Sequence, residues 1–210
     1  MITDYSLYFV ADADFAAGRD LAPIIEAAVR GGVTVIQIRA KNRSFKDFVD
    51  LGRRAAAVLK KLGVPLLIND RVDVALACRA EGVHLGQEDV PPALARRALA
   101  EGTVIGVSAN TPEEAHEAER QGADYIGAGP VFATASKATD LPIIGPEGVR
   151  RIKAAIRIPV VAIGGITEGN ARELRAAGAD GIAVISAILG AADPETAARR
   201  LKSSFQGLAP

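Results

Sequence analysis

The sequence predicts an α/β protein built as a single (β/α)8 TIM barrel, with residues 1–210 as one domain. Two observations lead to this fold. Short apolar runs with little polar alternation are typical of parallel strands that helices cover on both faces. These runs alternate with longer amphipathic stretches, in a unit that recurs about every 20–30 residues along the whole chain.

Eight apolar runs predict the strands. In chain order they cover residues 7–11, 34–39, 65–70, 82–86, 104–109, 125–131, 159–164 and 181–186. Because each run is almost continuously apolar, each strand is expected to be buried on both faces.

The stretches between the runs predict helices with recognisable starts and ends. Residues 44–62 place their apolar side chains on one broad face. Thr111 and Asp193 each precede a proline at the first helical position, and Glu114 completes a capping box with Thr111. Glycines are expected to end helices at Gly31, Gly63, Gly82, Gly122 and Gly178.

An open, doubly wound sheet is the rival arrangement for alternating strands and helices. The first predicted strand runs into Ala11-Asp12-Ala13-Asp14 and lacks the G-x-G-x-x-G turn typical of that fold. The repeat is also even, without a change in composition that would divide the chain into halves. Both observations favour the barrel.

Composition and charge exclude several classes of protein. The 25 basic and 25 acidic residues give a formal net charge of zero, which argues against nucleic-acid binding by bulk electrostatics. The single cysteine, Cys78, excludes a disulfide framework and a cysteine-rich zinc site. No apolar run approaches the roughly 20 residues of a membrane span, and the first residues do not resemble a signal peptide. We therefore expect a cytoplasmic protein with small-molecule partners and with neither nucleic acid nor membrane. The sequence is compatible with a homo-oligomer.

Barrel enzymes carry their active sites at the carboxyl ends of the strands. Most of the predicted strands lead into polar residues of ligand type. They are Gln37, Arg39, Lys41, Asn69, Asp70, Arg71, Gln87, Glu88, Asp89, Ser108, Asn110, Ser186 and those of the loop 134–140. The general preference of charged residues for loops is enough to explain Arg71 and Glu88.

Gly164 and Gly165 after the seventh strand, with Ser186 after the eighth, outline a phosphate site. The loops after the last two strands form such sites in many barrels. Glycines let the backbone approach a phosphate closely, and backbone amides after Ser186 can donate to an anion. The alternative is that the two glycines form only a tight turn.

Asp70 and Asp89 follow the adjacent third and fourth strands and form a candidate Mg²⁺ site. Paired carboxylates, with water and phosphate oxygens, are the usual ligands of this ion. The alternative is that each aspartate caps the helix that follows it. Zinc is not expected, because His84, inside a strand, is interpreted as a packed core residue, and His116 as a solvated one.

Arg39, Lys41 and Lys137 supply positive charge on the same rim. Arginine grips phosphate oxygens with two hydrogen bonds, and lysine contributes a point charge. Opposite the two aspartates, these residues outline a site for a magnesium-bound diphosphate. A lysine could instead form a Schiff base with a carbonyl substrate, but both lysines lie in loops, which weakens this alternative.

Characteristic motifs follow one another from the second predicted strand to the eighth. They are Gln37-Ile38-Arg39-Ala40-Lys41, Ile68-Asn69-Asp70-Arg71-Val72-Asp73-Val74-Ala75, Gly82-Val83-His84-Leu85-Gly86-Gln87-Glu88-Asp89, Ile105-Gly106-Val107-Ser108, Gly127-Ala128-Gly129-Pro130-Val131-Phe132-Ala133-Thr134, Ala162-Ile163-Gly164-Gly165-Ile166 and Gly181-Ile182-Ala183-Val184-Ile185-Ser186. As a set, they resemble the motifs of the thiamine-phosphate synthase family. Ala40 stands where the family has glutamate, and Ser136 stands where threonine is expected but keeps the hydroxyl. Neither departure removes a charge that the expected chemistry needs.

The resemblance implies a (β/α)8 enzyme that joins hydroxymethylpyrimidine diphosphate to hydroxyethylthiazole phosphate, giving thiamine phosphate and diphosphate, with Mg²⁺ as cofactor. By position, Asp70 and Asp89 would hold the metal. The residues implied on the pyrimidine side are Gln37, Arg39, Lys41, Asn69, Ser108 and Lys137. Those implied at the thiazole phosphate are Thr134, Ser136, Gly165, Ile185 and Ser186. The residues implied in catalysis are Arg39, Lys41, Ser108 and Lys137.

The expected mechanism starts with departure of diphosphate from the pyrimidine-methyl carbon, helped by Mg²⁺ and the cationic side chains, before the thiazole nitrogen attacks. Two rival functions use the same barrel. A thiazole tautomerase would carry histidine in place of Pro130 and would lack the aspartate pair. A non-catalytic phosphate-binding barrel would not need Lys137, Asp70 and Asp89.

Overall fold

Eight parallel strands form the centre of the computed structural model, which describes residues 2–134, 136 and 141–208. The strands are β1 (Leu7–Asp12), β2 (Val35–Arg39), β3 (Leu66–Asn69), β4 (Gly82–Leu85), β5 (Val104–Ala109), β6 (Tyr125–Ala128), β7 (Val160–Ile163) and β8 (Gly181–Val184). Each strand pairs with the next in the sequence, and β8 pairs with β1, which closes the barrel. The predicted (β/α)8 fold is confirmed.

Helices follow the strands and cover the outside of the barrel. They are α1 (Leu21–Arg30), α2 (Phe45–Leu62), α3 (Val72–Cys78), α4 (Pro92–Ala98), α5 (Pro112–Arg120), α6 (Gly145–Ala155), α7 (Ala171–Ala176), α8 (Ser186–Leu189) and α9 (Pro194–Gln206). The last unit therefore carries a short helix directly after β8 and a long one after it. Within the described ranges, no helix combines the length and the apolar character needed to cross a membrane.

Two apolar layers explain why the strands have no polar alternation. Leu7, Phe9 and Ala11 on β1 pack in the outer core together with helix side chains. Tyr8 and Val10, at the alternate positions, belong to a separate cluster with side chains of other strands inside the barrel. All five residues are at most 3% exposed. Because burial of a large apolar side chain stabilises a fold by about 1.5–3 kcal/mol, both faces of the strand favour apolar residues.

Capping residues start three of the helices, and the helix starts predicted at Thr111 and Asp193 are confirmed. Side-chain oxygens of Ser44, Thr111 and Asp193 accept hydrogen bonds from amides in the first turns of α2, α5 and α9. Glu114 does not complete the box at Thr111, since its carboxylate accepts a hydrogen bond from the amide of Asn110, at 2.6 Å. The predicted start of α5 is thus confirmed. In a capping box the Glu114 carboxylate would accept from the amide of Thr111, and here it accepts from the amide one residue earlier.

The prediction that Gly82 ends a helix is wrong. Helix α3 has already ended at Cys78, with Arg79 as its left-handed C-cap at φ 54°. Gly82 begins β4, where an added Cβ would lie 2.6 Å from the carbonyl oxygen of Val104. Close approach of two strands, and not helix termination, explains this glycine.

Strand β6 is shorter than its apolar run predicts. Pro130 has no amide hydrogen and interrupts the ladder, which resumes when the amide of Val131 donates to the carbonyl of Ile163 at 2.9 Å. Val131 is nevertheless buried in the outer core. The apolar pattern therefore continues past the end of the strand.

Candidate active site

A cavity of about 560 Å³ opens at the carboxyl ends of the strands. This volume is typical of pockets for small molecules. The predicted site residues that line it are Gln37, Arg39, Asn69, Ser108, Thr134, Ser136, Gly165, Ile185 and Ser186. Lys41, Asp70 and Asp89 are not among its lining residues, and Lys137 lies outside the described residues. Most of the predicted residues thus face one shared space.

Hydroxyl groups and a glycine turn form one part of the cavity wall. The hydroxyls of Ser136 and Ser186 are 2.8 Å apart and link the loop after β6 to the start of α8. The hydroxyl of Thr134 accepts a hydrogen bond from the amide of Ser136 at 3.2 Å. Gly165 has a φ of 64°, and a Cβ there would collide with the carbonyl oxygen of Ala133. Only glycine fits this turn, and the neighbouring hydroxyls suit phosphate oxygens.

Arg39 reaches the cavity from the end of β2 and forms an ion pair with Asp12 at the end of β1. The register of these two strands places the two residues side by side. Asp12 is only 1% exposed, and its carboxylate also accepts hydrogen bonds from the amides of Asp14 and Phe15 at 2.9 and 3.1 Å. Sequence reasoning missed Asp12, although an aspartate at the end of one strand beside an arginine on the next was a usable signal.

Asp70, Asp89 and Lys41 form a second charged group after β2, β3 and β4. Nζ of Lys41 lies 2.5 Å from a carboxylate oxygen of Asp70. Asp70 is also hydrogen-bonded to Asp89, whose carboxylate accepts from the amide of Gly86 at 2.7 Å. The N-caps of α3 and α4 are Arg71 and Pro91, and neither helix has a side-chain cap. The capping alternative is therefore not supported for either aspartate.

The two aspartates hold their protons differently. Burial, followed by the hydrogen bond with Asp70, raises the pKa of Asp89. Burial also opposes ionisation of Asp70, but its hydrogen bonds with Lys41 and Asp89 lower the pKa of Asp70 below its ordinary value. The proton is therefore released more readily from Asp70 than from Asp89.

This carboxylate pair fits the donor chemistry of Mg²⁺. Two oxygen-bearing groups close enough to share a proton can instead share a hard cation. The described ranges contain no cluster of three or more histidine, cysteine or acidic residues suited to a metal. Water and substrate oxygens would therefore have to supply most of the ligands, which is the usual arrangement for this ion.

A chain of hydrogen bonds runs through the interior of the barrel, among residues that line the cavity. Nε2 of Gln37 donates to the hydroxyl of Tyr8 at 2.7 Å, and the hydroxyls of Tyr8 and Tyr125 are 2.9 Å apart. His84 lies 2.8 Å from the Tyr125 hydroxyl through Nδ1 and 3.0 Å from the Ser108 hydroxyl through Nε2. Burial raises the pKa of both tyrosines, so each hydroxyl remains protonated.

His84 is more than the packed core residue that the sequence predicts, because it lines the cavity and bonds through both ring nitrogens. Tyr8 and Tyr125 also line the cavity and were missed. Asn110, noted on the rim without a role, lines it too, and its side-chain amide donates to the carbonyl of Gly129. The only signal for the tyrosines was that alternate residues of β1 and β6 point into the barrel. In an almost continuously apolar run, the inward-pointing positions cannot be told from the outward-pointing ones.

The sequence model of a protein family described as thiamine monophosphate synthase (TMP-TENI) matches residues 7–188. The chain belongs to the thiamine monophosphate synthase family. The predicted resemblance is thereby confirmed.

Individual relatives agree with this membership of the thiamine monophosphate synthase family. The chain is 47% identical to a thiamine-phosphate synthase of Syntrophomonas wolfei, over 97% of this chain and 98% of that protein. It is 46% identical to a thiamine-phosphate synthase of Clostridium tetani, over 96% of each. The solved thiamine phosphate pyrophosphorylase of Pyrococcus furiosus is 40% identical and superposes with a TM-score of 0.88, over 98% of this chain and 97% of that one.

A more distant structure shares only the fold. A 3-hexulose-6-phosphate synthase is 20% identical and superposes with a TM-score of 0.71, over 97% of this chain and all of that one. The near relatives carry the functional information: as a member of the thiamine monophosphate synthase family, the chain is an enzyme, a transferase of thiamine biosynthesis.

Proposed function

We propose that the enzyme joins hydroxymethylpyrimidine diphosphate to hydroxyethylthiazole phosphate, giving thiamine phosphate and diphosphate. One observation carries the proposal. A single rim combines a wall of hydroxyls around Ser136 and Ser186 with Arg39 and, close by, the Lys41–Asp70–Asp89 group. Two anionic substrates can therefore be held side by side, one by its monophosphate and one by its diphosphate.

Arg39 and Lys41 are assigned to the diphosphate. Arg39 is kept oriented by Asp12, and Lys41 by Asp70, so both cations are placed before substrate arrives. Asp70 and Asp89 would hold Mg²⁺. When bound, the ion supplies positive charge that stabilises the departing diphosphate. A bound divalent cation would favour the ionised form of Asp89, against the burial that raises its pKa.

Ser136, Ser186 and Gly165 are assigned to the thiazole phosphate. Holding this phosphate fixes the thiazole nitrogen near the pyrimidine-methyl carbon, which replaces a bimolecular encounter by a positioned one. Lys137, on the same loop as Ser136, is proposed to add positive charge to the diphosphate as it leaves.

The reaction needs no nucleophilic side chain. The bond between the methylene carbon and the diphosphate oxygen breaks, and its electron pair leaves with diphosphate. The lone pair of the thiazole nitrogen then forms the new carbon–nitrogen bond. The work of the protein is to orient both substrates and to stabilise charge, which agrees with a rim rich in cations and hydroxyls.

The direct test is to incubate the enzyme with both substrates and Mg²⁺ and to quantify thiamine phosphate and diphosphate. We expect the two products in equal amounts when both substrates are present. Isomerisation of the thiazole without diphosphate release would favour a tautomerase and contradict the proposal.

The metal assignment is tested by thermal unfolding with pyrophosphate, with and without Mg²⁺. Pyrophosphate at about 100 times its Kd should raise Tm by about 5–10 °C, and the rise should be larger with Mg²⁺. Asp89→Asn should lose this extra rise, because the amide keeps the shape and the acceptor for Gly86 but not the charge.

Asp73→Asn is the matched control, since Asp73 is exposed and pairs only with Arg71 among the charged residues of the described chain. It should keep the full Mg²⁺ effect. An equal Mg²⁺ effect in Asp89→Asn and in the unmodified enzyme would contradict the metal assignment.

A further inference from the structure

We propose that Tyr8 and Tyr125 are positioning residues that hold His84 in the neutral tautomer with its proton on Nε2, so that Ser108 offers a hydroxyl hydrogen to the substrate. The starting point is the interior chain of hydrogen bonds, in which every link is 3.0 Å or shorter. Only the kinetic part of the test below rests on the proposed function.

The orientation of the Gln37 amide gives the hydrogen-bond chain its proposed direction. An amide nitrogen donates and does not accept, and Nε2 of Gln37 contacts the Tyr8 hydroxyl oxygen at 2.7 Å. Within the described part of the chain, the other partner of this hydroxyl is Tyr125, at 2.9 Å. The single hydroxyl hydrogen of Tyr8 therefore goes to Tyr125.

The hydrogen bonds of the His84 imidazole follow the same direction. Tyr125 accepts from Tyr8, so its own hydrogen goes to Nδ1 of His84, at 2.8 Å. A neutral imidazole that accepts at Nδ1 carries its proton on Nε2, which lies 3.0 Å from the Ser108 hydroxyl. Ser108 accepts this bond and keeps its hydroxyl hydrogen for a partner in the cavity that it lines.

Burial of the two tyrosines keeps the hydrogen-bond chain intact. Tyr8 and Tyr125 are each 1% exposed, so water cannot replace their mutual bond. Two glycines make room for the rings: a Cβ on Gly106 would collide with the Tyr125 ring, and one on Gly127 would lie 2.8 Å from Cε1 of His84. Because a buried hydroxyl without a partner is costly, all the links have to point the same way.

If the hydrogen bonds ran in the opposite direction, the other tautomer of His84 would be expected. A half-turn of the Gln37 amide would reverse every link, place the proton of His84 on Nδ1 and turn Ser108 into a donor to His84. The side-chain tautomer of one histidine therefore decides between the two.

Nitrogen-15 NMR of the histidine side chains reads this tautomer in the substrate-free protein. The measurement is made at about pH 8, above the ordinary histidine pKa of about 6.5. The chain has only two histidines, and His116→Gln identifies the signals of His84. We expect the proton on Nε2. A proton on Nδ1, or on both nitrogens, would overturn the proposal.

Tyr125→Phe removes the donor to Nδ1 and should shift the tautomer population of His84 toward a proton on Nδ1. Tyr5→Phe is the matched control. The Tyr5 ring packs on Tyr125 with ring centroids 4.9 Å apart, but the Tyr5 hydroxyl is not one of the links in the hydrogen-bond chain. Tyr8→Phe, which breaks the chain one link earlier, serves if Tyr125→Phe does not fold. A tautomer unchanged by removal of its donor would refute the positioning role.

Kinetics provides a second readout. Tyr125→Phe and Ser108→Ala should each lower kcat/KM for the pyrimidine substrate about fivefold to tenfold, with the KM of the thiazole phosphate unchanged. Because Tyr125 acts through Ser108, the double variant should lose no more than Ser108→Ala alone, and additive losses would count against the proposal. If the unmodified enzyme forms no thiamine phosphate, the proposed function is wrong. The tautomer measurement still tests the positioning role of Tyr8 and Tyr125 in that case.

Discussion

The carboxylate of Asp12 illustrates how single residues prepare the site before substrate binds. It receives the guanidinium of Arg39 on one oxygen and two backbone amides on the other. The pair is almost completely buried, with side-chain exposures of 2% for Asp12 and 15% for Arg39. Pairing in such a place fixes the direction of Arg39, because an unpaired buried charge would be costly.

Asp12→Asn should therefore destabilise the protein by about 3 kcal/mol, since the amide retains the shape but leaves Arg39 without its counter-charge. Urea unfolding measures the loss. Asp73→Asn, which breaks an exposed ion pair with Arg71, should change stability by less than about 1 kcal/mol. Equal effects of the two substitutions would show that the Asp12 pair is no more than a surface interaction.

At the scale of elements, α2 and α3 approach each other closely at Gly52. An added Cβ there would lie 2.6 Å from Sγ of Cys78 on α3. Cys78 is itself buried, donates to the carbonyl of Val49 at 3.5 Å, and has a thiol pKa raised by burial. A glycine in the middle of a long helix, otherwise unfavourable, is thus explained by the contact with its neighbour.

Gly52→Ala gains about 1 kcal/mol in helix propensity but should still destabilise the protein by about 1–3 kcal/mol through overpacking. Cys78→Ala removes the sulfur that the new methyl group meets. The double variant should consequently be more stable than the sum of the two single changes, by about 1 kcal/mol or more, in a double-mutant cycle measured by urea unfolding. Additive effects would refute the clash.

The elements also show which features of the sequence carry information about the fold. The apolar runs locate all eight strands, because burial on both faces leaves a local pattern. The start of β4 at Gly82 and the end of β6 before Pro130 depend on contacts with Val104 and Ile163, and those contacts lie outside any local window.

The site residues also separate into those that the sequence reveals and those that depend on contacts between strands. Asp70, Asp89 and Ser186 could be found because they lie in the short segments that follow strands β3, β4 and β8. The partnership of His84 with Tyr125 and Ser108 depends on the register between β4, β5 and β6, which the sequence does not state. Charged residues in the segments after these strands can therefore be located from the sequence, whereas the internal hydrogen-bond chain cannot.

For the whole molecule, we expect the barrel interior to respond to alkaline pH as one unit. The chain has three tyrosines, and burial raises the pKa of each above its ordinary value, with the neighbouring Tyr8 adding to the shift at Tyr5. A raised pKa in the folded state stabilises the fold below the ordinary tyrosine pKa of about 10, and this stability is lost as pH rises above it.

We expect the phenolate absorbance to appear together with the loss of far-ultraviolet circular dichroism, in one transition above about pH 10. In urea, the unfolded chain should instead titrate smoothly near pH 10. A smooth titration in the folded protein, with its circular dichroism intact, would show that the tyrosines are open to solvent.

Closure of the barrel also constrains how this protein is made. The last strand, β8, pairs with the first, β1, and α9 contacts α1 through the ion pair of Arg30 with Glu195 at 2.9 Å. On a ribosome, β1 emerges first and waits with one unpaired edge until nearly all the remaining units have been synthesised. An exposed strand edge invites pairing with other chains. We therefore expect nascent chains that end before β8 to associate with other chains more readily than chains whose barrel has closed.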